Sequence, residues 1–109
     1  MERVMKGDVV VIPFPFSDLS GSKRRPALVI ANWGGADVML CQITSQTKAD
    51  KLEIPLAQDD FESGGLPIAS NIRPNKIFTA DRRIVLRVAG KLDPVKHARV
   101  AEAIVAVLR

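Results

Sequence analysis

A chain of 109 residues, 47% hydrophobic and 26% charged, has the length of one domain spanning residues 1–109 and the balance of a globular protein with a modest core. One cysteine, Cys41, excludes an internal disulfide, no apolar run approaches the ~20 residues that span a bilayer, and residues 1–6 lack the apolar stretch of a signal peptide, so a cytoplasmic location and no membrane partner are expected. The net charge of +4 points toward a polyanionic partner.

Residues 8–12 (DVVVI) form a β-branched run opened by Gly7 and closed by Pro13, which predicts a buried strand. Each proline of 13–16 (PFPF) removes a backbone donor, so a central strand is expected to end there. Residues 17–23 are rich in turn formers and predict a loop. A second strand is expected at 26–31 and a third at 38–43, joined as a hairpin by Gly34 and Gly35. Residues 44–50 are polar and predict a loop, 52–54 a short strand before Pro55, and 59–65 an acidic turn or helical turn ending in glycines. Short strands are expected at 66–70, 75–79 and 86–89, with a turn at 81–83. The period then changes. Asp93 can cap, Pro94 suits a first helical position, and Ala101, Ile104, Val105 and Leu108 share one face of a terminal helix. Five to seven short, mostly antiparallel strands followed by one helix make a mainly β (α+β) fold, with a small barrel or strongly bent sheet.

The chemistry is narrowed by what is missing. One cysteine and one histidine, Cys41 and His97, cannot make a zinc cluster, and no phosphate-binding glycine loop is present, so no metal or cofactor is expected. Cys41 sits in an apolar strand and reads as core rather than nucleophile. The charges segregate: residues 50–62 have a net of −4, and residues 71–91, with Arg73, Lys76, Arg82, Arg83, Arg87 and Lys91 against Asp81, have +5. Lys23, Arg24 and Arg25 precede Pro26 at a strand entry, while Thr44 and Ser45 follow the third strand. If these strands are hairpin partners, Arg25 and Thr44 meet at one end of the sheet. A guanidinium beside a hydroxyl suits a phosphate, and RNA carries its own 2′-OH nucleophile, so positioning and charge stabilisation suffice for cleavage.

Several motifs recur in a familiar order: GDVVVIPF (7–14), RPALVI (25–30), QITS (42–45), SNIRPNKIFTAD (70–81) and GKL (90–92) before a terminal helix. The chain resembles the MazF/PemK toxin family over nearly its whole length. The resemblance implies an SH3-like β-barrel with a C-terminal helix, shared with the gyrase-poisoning CcdB toxins. It also implies a homodimer that cleaves single-stranded RNA to a 2′,3′-cyclic phosphate and is neutralised by a cognate antitoxin, with operator DNA contacted only as the toxin–antitoxin complex. Arg25 and Thr44 occupy the family's catalytic positions. Arg73 fits the place of an arginine that contributes in some relatives, and the aspartate that follows it there is Asn75 here. Lys23, Arg24, Ser45, Arg73, Asn75 and Lys76 are the expected RNA-contacting set. Many members carry a glutamate in the loop before the arginine; residues 21–24 (GSKR) have none, which leaves the general base unassigned. A non-enzymatic, CcdB-like gyrase-binding toxin and an inactive RNA-binding barrel are the alternatives.

Overall fold

The computed structural model describes residues 3–14, 23–45 and 51–109; of the loops expected at 17–23 and 44–50, residues 17–22 and 46–50 lie outside the described residues, whereas Lys23 and Thr44 belong to strands. Seven antiparallel strands, β1 (Asp8–Phe14), β2 (Lys23–Ala31), β3 (Asp37–Thr44), β4 (Ile54–Leu56), β5 (Phe61–Gly64), β6 (Ser70–Asp81) and β7 (Arg87–Leu92), form one curled sheet in the order β4-β6-β3-β2-β1-β7-β5. The helix α1 (Pro94–Val107) follows directly.

The β2–β3 hairpin pairs Ala27 with Gln42, Leu28 with Cys41 and Val29 with Leu40. Its turn is set by Gly34, at φ +88°, whose N–H donates to the Asn32 Oδ1 at 2.9 Å. Strand alternation divides the apolar residues between two cores. Val9, Leu28, Cys41, Ile43, Leu56, Ile72 and Leu92 pack with Val100 of α1. Val10, Ile12, Ala27, Val29, Val38 and Leu40 pack on the other face, against Phe78, Ile84 and Val85. Fully burying side chains such as Ile12, Leu28 and Leu40 stabilises the fold by about 1.5–3 kcal/mol each.

Three prolines depart from the sequence expectation for a common reason. β1 continues through Pro13 to Phe14, because beyond Val11 its register runs only with β2, leaving Pro13 in a one-sided position. Pro55 lies inside β4, an edge strand. Pro74 lies inside β6, so the strand expected at 75–79 is part of one twelve-residue strand, and 66–69 is not a strand. Cys41 pairs with Ile77 and Ile43 with Ile72, so residues 73–76 bulge opposite Gln42 and accommodate the proline. The Cys41 thiol donates to the Arg73 carbonyl freed by this bulge, at 2.8 Å.

The region 58–65 resolves into a 3-10 turn (Gln58–Asp60) and β5, and the turn at 81–83 is a second 3-10 turn (Arg82–Ile84) capped by the Asp81 side chain. In α1, Pro94 takes the first turn as expected, whereas Asp93 makes no side-chain cap bond. The buried stripe is also rotated from the expected face. Val100 is fully buried and Ile104 half-buried, while Val105 and Leu108 are 45% and 77% exposed. Periodicity alone does not choose between adjacent apolar stripes; packing against Leu56, Ile72 and Leu92 does.

Gly90 marks where β7 meets β5. A Cβ there would lie 2.6 Å from the Ser63 carbonyl oxygen and 2.7 Å from the Gly65 nitrogen, both backbone atoms with no side-chain freedom to yield. Gly90→Ala is expected to cost about 1–3 kcal/mol, read as a lowered urea midpoint.

Candidate nucleic-acid interface

One end of the sheet is open. A cleft of about 410 Å³ is lined there by Arg24, Arg25 and Arg87, by the hydroxyl residues Ser45 and Ser70, and by an apolar surface that includes Pro26, Ile43, Ile68 and Leu86. None of the described residues that line it is acidic. Arg24, Arg25 and Arg87 make no ion pair or side-chain hydrogen bond with another described residue. Other cations are engaged: Arg83 with Asp81 at 2.8 Å, Lys96 with Asp60 at 3.5 Å, and Arg82 with the Gly35 carbonyl. Three like charges with no counter-charge among the described residues repel one another, which an anion in the cleft would relieve.

The β2–β3 ladder reaches Ala27↔Gln42, and the same register carried two places further would set Thr44 opposite Arg25 on the face shared with Ala27; the pairing of Thr44 within the sheet is with Asn71 of β6. Thr44 is only 3% exposed, however, and is not part of the cleft lining. Arg24 and Ser45 project to the opposite face by strand alternation, both exposed and both lining the cleft. The Ser70 Oγ donates to the Ile68 carbonyl at 2.9 Å, which ties the 66–69 segment over the sheet.

The remaining expected contacts stand apart. Lys23, the exposed first residue of β2, and Arg73, Asn75 and Lys76, on the β6 bulge, do not line the cleft. The basic segment 71–91 therefore does not act as one patch: its arginines are divided among the bulge, the 3-10 turn and β7. Arg87 is the cleft residue that sequence spacing missed. The signal for it is topological, since β7 lies beside β1 and not beside its neighbours in the chain.

Neither Cys41 nor His97 lines the cleft. Burial pushes the Cys41 thiol up to about 12, so it stays protonated as a core residue. Among the described residues no cluster of three His, Cys, Asp or Glu side chains is arranged to hold a metal ion. Burial lowers the His97 pKa from its ordinary 6.5, and the Lys6 charge acts in the same direction. The unfolded chain then binds more protons, so stability present above about pH 6.5 declines as pH falls. His97→Gln is expected to flatten that part of the stability profile between about pH 7.5 and 5.5 by thermal melting. A wild-type and variant difference independent of pH would contradict it.

A small curled antiparallel sheet with a terminal helix and an arginine-lined cleft is the class these features define. The chain belongs to the PemK-like, MazF-like toxin family of type II toxin–antitoxin systems, whose family model matches residues 5–108. A search of curated proteins gave no significant match. Solved structures share the fold. An endoribonuclease from a mycobacterial species, in complex with its cognate antitoxin, is 19% identical, with a TM-score of 0.73 over 99% of this chain and 95% of that one. MazE–MazF from Deinococcus radiodurans is 21% identical, with a TM-score of 0.74 over 94% and 92%. The Mycobacterium tuberculosis toxin MazF-mt6 is 20% identical, with a TM-score of 0.72 over 93% and 95%. The half-barrel with its C-terminal helix is thus the fold expected from the family resemblance. No helix among the described residues is long and apolar enough to cross a membrane.

Proposed function

We propose that this toxin is an endoribonuclease that cuts single-stranded RNA by transesterification. The observation that carries the reading is a cleft whose described lining holds three arginines and no acidic residue, in a family with an endoribonuclease among its structural relatives. The 2′-oxygen attacks the adjacent phosphorus, and the bond from phosphorus to the 5′-oxygen breaks. The 2′ proton leaves to a base, the departing 5′-oxygen gains a proton, and the products are a 2′,3′-cyclic phosphate and a 5′-OH. Nucleophile and electrophile sit in the same strand, so the protein's task is alignment and stabilisation of charge on the equatorial oxygens. Arg25 supplies that charge as a two-pronged donor; with a pKa above about 12 it does not serve as the base. Thr44, the second residue at a family catalytic position, is buried at the end of β3. Arg24 and Ser45 take the flanking backbone.

A cognate antitoxin is part of this reading, supported by relatives solved with antitoxin bound. An acidic segment with apolar side chains would match the arginines and the exposed Ile68 and Leu86 of the cleft, and would exclude RNA. Operator DNA would be contacted only as that complex. The outward face of α1, with Val95, Val105 and Leu108 exposed, offers apolar surface to a homodimer.

Incubating the purified protein with a long single-stranded RNA tests the reading, and cleavage at defined sites is the expected result. Intact RNA with blocked DNA supercoiling would favour a gyrase-binding toxin. RNA bound but uncut would favour an inactive barrel.

A further inference from the structure

We propose that Arg87 is a further phosphate-binding residue, holding the RNA backbone across the cleft from Arg24; this rests on the RNA-cleaving reading above. The sheet register carries the inference. Val11 of β1 faces Pro26 of β2 on one side and Arg87 of β7 on the other, so the three share one face. Adjacent strands lie about 4.8 Å apart, which sets Arg87 and Pro26 roughly 10 Å apart at the backbone. Arg24 stands two residues from Pro26 on that same face, at the near side of the cleft. Guanidiniums therefore flank an apolar floor of Val11 and Pro26 from opposite sides. Guanidiniums rooted on two different strands across such a floor suit separate phosphates of one strand better than a single anion.

Arg87 is exposed and has no ion pair among the described residues, unlike Arg83 four residues earlier, which pairs with Asp81. Its strand is anchored at this point, because the Leu86 N–H donates to the Val11 carbonyl at 2.8 Å. A side chain that is rigidly rooted, charged and uncommitted is suited to hold a phosphodiester in register.

Binding of a labelled 2′-O-methyl RNA strand, which lacks the attacking hydroxyl, tests this by fluorescence anisotropy at several salt concentrations. Arg87→Gln is expected to weaken binding roughly 5- to 20-fold and to reduce the salt slope by about 0.7, the share of one phosphate contact on a single strand. Arg87→Lys should restore most of the slope, and Arg109→Gln at the far end of α1 should leave it unchanged. In steady-state cleavage, Arg87→Gln should raise KM with kcat held within about two-fold. Unchanged affinity and slope in Arg87→Gln, with wild type binding normally, would overturn the role of Arg87 alone. Binding that weakens in Arg87→Gln while wild type cuts no RNA would uphold the phosphate contact and overturn the cleavage reading. A wild-type protein that does not bind the strand would overturn both.

Discussion

Arg25→Gln is expected to lower kcat for RNA cleavage by about 10²–10³-fold, the range seen when one preorganised charge-stabilising donor is removed. The side chain leaves β2 one residue before Pro26, with its backbone paired to Ile12 of β1, so its root is fixed before substrate arrives. Charge that develops on the equatorial oxygens meets a donor that needs no reorganisation. Because the guanidinium forks onto two oxygens, Arg25→Lys should recover only a small part of the lost rate. Folding should be little affected, since Arg25 is half-buried and makes no ion pair with another described residue. Initial-rate cleavage of a defined oligonucleotide, with a thermal melt alongside, separates the two effects. A variant within about three-fold of wild type in kcat would remove Arg25 from the chemistry.

The largest stability effect is expected for Leu28→Ala, at about 2–5 kcal/mol. Leu28 is fully buried in β2 and pairs with Val9 on one side and Cys41 on the other, so its side chain is enclosed across three strands. The curled sheet cannot collapse into the space without shifting both partners. Against a total stability of roughly 5–15 kcal/mol, such a loss should move the denaturant midpoint steeply, and it can unfold the protein outright. The measurement is equilibrium urea unfolding. A change below about 1 kcal/mol would mean that the core near Leu28 is loosely packed.

Much of the fold is legible in local residues. The β-branched runs of β1, β2 and β3, the glycines of the hairpin turn and the Asp93–Pro94 helix start are nearest-neighbour signals, and each marks its element within a few residues. The prolines mislead because their tolerance depends on what lies beside the strand. Pro13, Pro55 and Pro74 all sit where a ladder bond is absent, at an edge, a one-sided position or a bulge. That information is tertiary. The helix face misleads for a similar reason: two adjacent apolar stripes exist, and only the partners of Val100 distinguish them.

The candidate site divides along the same line. Arg24 and Arg25 are adjacent in sequence at the entry to β2, so their association follows from reading along the chain, and the expected meeting of Arg25 and Thr44 rests on the hairpin register carried beyond Ala27↔Gln42. Arg87 joins them only because β7 crosses to lie against β1. The basic segment at 71–91 shows the converse. Its charges are close in sequence, yet Arg83 is spent on Asp81, whose carboxyl it holds at about 2, and Arg82 on the hairpin turn. Charge counted along a chain is a poor guide to charge available at a cleft.

The decisive measurement is incubation of the purified toxin with a long single-stranded RNA in excess EDTA, followed by mapping of both new ends. Cleavage under these conditions, leaving 2′,3′-cyclic phosphate and 5′-OH termini, is the predicted result. Intact RNA at high protein concentration, or termini bearing a 5′-phosphate, would contradict it.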